Sequence, residues 1–256
     1  EAQVRVEEGF TALRVYPFGD FGNSDFEEGL GLETMSYTGM QRNAVERISA
    51  VREAAGPDTD IMIDVVNRLT PAEAIGLGRA LEPFNLYFYE DPIEPENMEQ
   101  WGWVAEQQPI PLAMGERLYT VYQFQDLLDH KGAAFVRPDL SLAGGITNIK
   151  KIAAIAEANY VGVVPHNPLS CVLTAACVQL DAAVHNIAVQ EYPHDDDSGV
   201  KAELVKEPLK RVGGYLEVPT TPGIGVELNE ESFKHHPPVP YERPALINYD
   251  GSLRDY

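Results

Sequence analysis

Apolar residues along this chain fall into short strand-like runs, each followed by a stretch with helical spacing. Thr11 to Tyr16, Ile61 to Val66, Leu86 to Tyr89, Pro111 to Gly115, Ala134 to Arg137, Val161 to Val164 and Asn186 to Gln190 read as strands. Between the first two, Thr38 to Ala55 places its apolar residues on one helical face and stops at Gly56-Pro57. Thr70-Pro71 with Glu73 predicts a capping box and an N-terminal Pro opening the next helix. Further helices are predicted from Asn97, from about Val121, over Gly145 to Ala158 and over Cys171 to Val184. Alternation of this kind predicts βαβ units and a parallel sheet.

A polar residue closes each strand run after the first: Asp64, Glu90, Glu116, Asp139, His166 and Glu191. By subtraction they lie 26, 26, 23, 27 and 25 residues apart. A steady period with one strand and one helix per repeat is the signature of an α/β fold of the β/α-barrel type. The competing doubly wound sheet would carry a glycine-rich phosphate turn after its first strand, and no GxGxxG or P-loop pattern is present. Seven strands are read, where a closed barrel has eight, and the chain opens in a helix. Two open sheet edges are costly. The expectation is therefore a piece of a longer polypeptide, or a first strand supplied from elsewhere.

Residues 1–193 are expected to form the barrel and 194–256 a C-terminal segment packed on it. That segment begins with the acidic loop His194 to Ser198 and is rich in Gly and Pro, as in Gly213-Gly214 and Thr221-Pro222-Gly223. The longest loop, Pro17 to Tyr37, is glycine-rich, carries Phe18, Phe21 and Phe26, and follows a strand end. Loops in that position form active-site lids, and a plain surface loop is the alternative.

Composition narrows the function. The formal net charge of −21 over 256 residues argues against nucleic-acid binding, which requires a basic face. The scarcity of Lys fits either a salt-adapted host or an ordinary acidic cytoplasmic enzyme. No apolar run reaches the roughly 18–20 residues of a membrane span, and Glu1 to Phe10 does not resemble a secretory leader. The two cysteines, Cys171 and Cys177, share one apolar helical stretch and read as buried thiols in a reducing compartment.

At the C-terminal strand ends, where barrel enzymes work, three consecutive strands finish in carboxylates: Asp64, Glu90 and Glu116. A single strand-end acid is ordinarily a solvated loop residue or helix cap. Three at a constant interval sit on neighbouring strands about 4.8 Å apart, where mutual repulsion is relieved by a hard divalent cation such as Mg²⁺. The next two strands end in Asp139 and His166. A carboxylate on one imidazole nitrogen orients the other and raises its basicity, which suits a general base. A cation on the substrate carboxylate together with such a base points to proton abstraction next to a carboxylate through an enediolate.

On these residues the chain resembles the enolase superfamily, mandelate racemase subgroup, and within it the sugar-acid dehydratases. Tyr89-Glu90-Asp91-Pro92 and Gly115-Glu116-Arg117-Leu118 are similar to the family's second and third metal strands. Arg137-Pro138-Asp139 through Ala143-Gly144-Gly145-Ile146-Thr147 resembles the segment of the dyad acid, Pro165-His166-Asn167-Pro168-Leu169 that of the dyad histidine, and Gln190-Glu191 the final strand. Asp250-Gly251-Ser252-Leu253 also resembles the family's ending. The resemblance implies a modified TIM barrel of the (β/α)7β type, here without its first strand and N-terminal capping domain, with Mg²⁺ as cofactor. Family sites of this kind use a Lys or His base. It further implies that Glu191 contacts substrate, that the partner is a small sugar acid, and that the protein is a homo-oligomer.

Two positions depart from the pattern. Val66 stands two residues after Asp64, where many such dehydratases have a general-acid His. Arg14 and Tyr16 stand where racemases of the subgroup carry Lys. His166 would then take the α-proton and return it to the leaving hydroxide, or Tyr16 would serve as acid; Tyr16 equally reads as a packing residue. Arg14 is expected to bind carboxylate or support the rim. Asn67, Arg68, Arg117 and Asn167 are candidate substrate contacts. Dehydration of a sugar acid leads, with epimerisation, racemisation or cycloisomerisation and a catalytically silent binder as alternatives.

Overall fold

The computed structural model describes residues 1–18 and 36–240, with the backbone of 246–247 and 253–254. The loop expected to be a lid falls largely on residues 19–35, outside the described residues. The chain forms two compact units, Glu1–Leu112 with Tyr241–Tyr256, and Ala113–Pro240.

The first unit begins with helix α1 (Ala2–Glu7) and then runs β1 (Ala12–Val15), α2 (Tyr37–Ala55), β2 (Asp60–Asp64), α3 (Pro71–Leu81), β3 (Phe88–Glu90) and α4 (Met98–Gln107). Strand β1 pairs in parallel with β2, and β2 with β3, in a register that sets Asp64 beside Glu90. Residues Ile61 to Asp64 of β2 are all buried. Both faces of a parallel strand are covered by its crossover helices, so an unbroken apolar run is the expected pattern. Ile61, Ile63, Leu77, Leu81 and Trp101 are fully buried. Truncating Leu77 to Ala should cost about 2–5 kcal/mol. The predicted capping box at the start of α3 is present: Thr70 Oγ1 accepts from Glu73 N, and the Glu73 carboxylate accepts from Thr70 N at 2.8 Å. Two orphan amides at the helix start are satisfied in this way. The C-terminal stretch adds an antiparallel pair, Leu246–Ile247 with Leu253–Arg254.

The unit boundary falls within β4 (Leu112–Met114), and the second unit continues with α5 (Val121–Asp129), β5 (Phe135–Val136), α6 (Gly145–Ala158), β6 (Gly162–Val163) and α7 (Cys171–Asp181). Strand β4 pairs in parallel with β5, and β5 with β6. The predicted strand Asn186 to Gln190 is reduced to one parallel bridge, Val163 to Ile187, held by Val163 N to Asn186 O at 2.8 Å and Ala188 N to Val163 O at 2.9 Å. Beyond α7 the chain forms a short helix α8 (Gly199–Glu203) and a hairpin of β7 (Arg211–Val212) and β8 (Tyr215–Leu216) across Gly213-Gly214. The α7 face touches this stretch: Cys171 Sγ donates to Lys201 O at 3.1 Å, and Gln179 Nε2 donates to Pro219 O at 3.3 Å. Cys171 and Cys177 are buried free thiols, raised above the usual thiol value by burial. Among the described residues, no helix is long and apolar enough to cross a membrane.

Candidate active site

In the first unit, the strand ends gather charge around one guanidinium. Arg14 leaves β1 and donates from Nη1 to Asp64 Oδ2 at 2.7 Å and to both Glu90 carboxylate oxygens at 3.2 and 3.3 Å. Glu90 is fully buried. A buried carboxylate requires a compensating cation, and here one positive nitrogen serves two carboxylates. The backbone past the strands is also specialised. Val66 N donates to Asp64 Oδ1 at 2.9 Å, while Val66, Asn67 and Asp91 adopt φ of 54°, 57° and 39°. A left-handed backbone is unusual for any side chain and costly for a β-branched one. It is held by continued pairing of the two rim segments: Val65 N to Glu90 O, Asn67 N to Asp91 O and Leu69 N to Pro92 O, at 3.2, 2.7 and 3.1 Å. Asn67 and Arg68 are buried in this turn. Tyr16 is buried too, edge-on to Phe18 with ring centroids 5.6 Å apart.

In the second unit, His166 lies between two carboxylates. Its Nδ1 is 2.9 Å from Asp139 Oδ2 and its Nε2 is 3.1 Å from Glu116 Oε2. The backbone bridges Asp139 to His166 in parallel, with His166 N donating to Pro138 O at 3.1 Å. Asp139 Oδ1 accepts from Ser141 N at 2.7 Å, from the Ser141 hydroxyl and from Leu142 N at 3.2 Å. Burial works to raise the Asp139 carboxyl, but hydrogen bonds from His166 and Ser141 outweigh it and hold it below the usual range. Burial works to lower the His166 imidazole, but its bonds to Asp139 and Glu116 and the charge of Glu191 push it up to about 10. Glu116 follows Gly115, whose φ is 145° and whose added Cβ would lie 2.9 Å from Arg137 N. Any side chain there would collide with the neighbouring strand, so only glycine lets β4 turn out into Glu116. Arg117 is half-buried beside it.

Glu191 Oε2 accepts from Arg137 Nη2 at 2.6 Å and from Asn167 N at 2.9 Å. Arg137, 1% exposed, is a fully buried guanidinium to which sequence reasoning gave no role of its own. Its signal was visible only as an Arg inside an apolar strand run. Ser141, two residues after the dyad acid, was missed as well. Asn167, expected to touch substrate, is fully buried, and its Nδ2 donates to Thr174 Oγ1 at 2.7 Å and Glu191 O at 3.0 Å. Both hydrogens of its side-chain amide are taken up by these two acceptors.

This arrangement of strand-end acids and an acid–imidazole dyad is that of a known family. The Enolase C-terminal domain-like family model matches residues 1–232, and the chain belongs to that family. Its fold is therefore the TIM-barrel-like α/β fold that the repeat predicted. Among its relatives, D-galactonate dehydratase of Variovorax paradoxus is 38% identical over 83% of this chain. An enolase from Agrobacterium radiobacter, solved with sodium and L-malate in an ordered active site, superposes with a TM-score of 0.86 at 30% identity, covering 98% of this chain and 65% of that one. A mandelate racemase/muconate lactonizing enzyme from Sulfitobacter gives 0.82 at 33% identity, covering 92% of this chain and 57% of that one. The chain spans 58% of the length of the Variovorax enzyme.

Proposed function

We propose that this chain carries the proton-abstracting site of a sugar-acid dehydratase acting on an aldonic acid of the galactonate kind, with His166 as base. The carrying observation is the imidazole fixed between Asp139 and Glu116. Asp139 fixes the ring through Nδ1, and Nε2, which faces Glu116, is the nitrogen that exchanges a proton. The relatives named D-galactonate dehydratase supply the substrate class.

We further propose that Asp64, Glu90 and Glu116 hold Mg²⁺. Two of the three support this: Asp64 and Glu90 turn their oxygens toward one point, which Arg14 Nη1 meets, and all-carboxylate donors suit a hard cation. When bound, the ion would draw in the substrate carboxylate and stabilise the negative charge that builds there as the α-proton leaves.

His166 Nε2 takes the α-proton, the bond from the β-carbon to its hydroxyl breaks, and His166 returns the proton to that hydroxyl so that water departs. The enol left behind tautomerises to a 2-keto-3-deoxy acid. With Val66 where an acid would otherwise stand and Tyr16 buried against Phe18, one residue performs both transfers on the same face. Glu191, tied to Arg137, is the candidate to hold a substrate oxygen, and Arg117 and Arg68 are the cationic candidates for the sugar-acid chain. Arg14, whose Nη1 meets both carboxylates, is a further cationic candidate for the substrate's acid group.

A panel of aldonic and aldaric acids, incubated with the intact protein and either Mg²⁺ or EDTA, tests this with a carbonyl reagent. Keto acid from one member in Mg²⁺ alone is expected. Solvent deuterium at the α-carbon without keto acid would instead identify an epimerase, and neither signal with any member would identify a silent binder.

A further inference from the structure

Behind His166, a line of buried polar groups runs from the acidic loop after Glu191 to the catalytic loop. Thr174 is 1% exposed, and the other buried residues of α7 are Cys171, Leu173, Ala175, Cys177, Val178 and Leu180. A hydroxyl on so apolar a face must be paired, because an unpaired one is expensive to bury. Its Oγ1 donates to Asp196 Oδ2, and Asn167 Nδ2 donates to it at 2.7 Å. Asp196 is 2% exposed, and its other oxygen lies 3.7 Å from Lys201 Nζ.

The direction of every bond in this line is fixed from its ends. Burial pushes the Asp196 carboxyl above its usual range, while the Thr174 hydroxyl and Lys201 favour its charged form; ionised, it only accepts, so Thr174 donates to Asp196 and presents a lone pair to Asn167. Asn167 must then present its NH₂ group, whose second hydrogen goes to Glu191 O at 3.0 Å, a carbonyl that also only accepts. With the side chain locked in that orientation, Asn167 N points at Glu191 Oε2 at 2.9 Å, and the preceding residue is His166. Ser170 O, 3.2 Å from Thr174 Oγ1, is a second acceptor, but a neutral one, and the charged acceptor makes the stronger bond.

We infer that Asp196 and Thr174 are positioning residues, which act through Asn167 to set the orientation of the His166 loop and of Glu191. Neither touches substrate. The inference rests on the function proposed above for its kinetic part, though its structural part stands without it.

Three variants of the intact protein test it: Thr174→Val, which removes the hydroxyl at equal volume; Asp196→Asn, which keeps shape but lets the Thr174 hydroxyl reverse; and Thr174→Ser, which keeps the hydroxyl. With ¹⁵N-asparagine labelling, the Asn167 backbone amide should exchange with solvent about tenfold faster or more in the first two and little changed in the third. With substrate and Mg²⁺, kcat should fall about 10–100-fold in the first two, with KM nearly unchanged and rescue in the Ser variant. An Asn167 amide unmoved in folded Thr174→Val and Asp196→Asn would overturn the relay. An accelerated amide with undiminished kcat would overturn the positioning role. A wild-type protein that turns over no acid would sink the proposed function alone, because the amide measurement still decides the relay.

Discussion

The two rims of candidate catalytic residues are stiffened by different means. The segment carrying Asp64 and Glu90 uses backbone: Val66, Asn67 and Asp91 sit in left-handed conformations, zipped together by main-chain bonds. The segment carrying Asp139 and His166 has no positive φ between residues 132 and 143 or between 161 and 170. There the aim is set by side chains: Ser141 on Asp139, Asp139 on His166, and Thr174 on Asn167. Carboxylates proposed to share a cation have to be held together against repulsion, and a rigid turn would do that. A base that must gain and lose a proton needs partners that can follow its charge, and hydrogen bonds do that.

The largest effect should come from the base. His166→Asn should lower turnover by about 10²–10⁴-fold, the usual contribution of general acid–base catalysis, while leaving Mg²⁺ affinity by calorimetry within a few-fold. On the other rim the pattern should invert. Glu90→Gln should weaken Mg²⁺ binding by more than the roughly 10–100-fold that loss of an outer partner costs, with turnover recovering in part at high Mg²⁺. Equal loss of metal affinity in both variants would erase the distinction.

Smaller effects should appear in stability. In EDTA, the His166 imidazole has a folded-state value raised from 6.5 to about 10. Its contribution is therefore complete below 6.5 and is lost as pH rises toward 10, because the folded state then binds the extra proton only at growing cost. The depressed Asp139 carboxyl adds stability above its usual 3.8 that disappears on acidification. The Tm gap between wild type and His166→Asn should thus be widest between about pH 4 and 6.5 and should close toward pH 10. A gap that widens in alkali would contradict the ion-paired dyad. A related change is expected at Asp181, whose carboxyl is pushed up to about 7 by burial. Asp181→Asn should raise Tm at pH 8 and have little effect at pH 4, since the wild type must bury a charge only above its own shifted value.

The smallest pair addresses the comparison itself. Val66→Asn should stabilise by about 0.5–1 kcal/mol, because Asn tolerates a left-handed backbone that Val resists. Ser141→Ala should destabilise by about 1 kcal/mol through loss of its bond to Asp139. Both can be read from urea midpoints.

Much of this was legible in the sequence because it is periodic. One strand and one helix per repeat put Asp64, Glu90, Glu116, Asp139, His166 and Glu191 at successive strand ends, and local chemistry announced the caps at Thr70 and Glu73. The strands themselves are shorter than their apolar runs, down to Phe135–Val136, because apolar burial continues past the ladder into the rim turns. The hairpin across Gly213-Gly214 was readable in principle, as two glycines between Arg211-Val212 and Tyr215-Leu216. The left-handed Val66 was not, since nothing in its residue type favours that conformation. Nor was the line from Asp196 to Asn167, which joins residues 29 apart by subtraction and exists only once the chain is folded. Buried polar pairs of this kind leave no periodic trace. Arg137 was hidden in the same way: its meaning comes from Glu191, 54 positions later.

The most direct test of His166 as the base is exchange of the α-proton in D₂O, measured on the intact protein with Mg²⁺ and D-galactonate. The account predicts 2-keto acid formation by the wild type, and neither keto acid nor α-deuterium in His166→Asn that still binds Mg²⁺. Keto acid formed by that variant at the wild-type rate would contradict it.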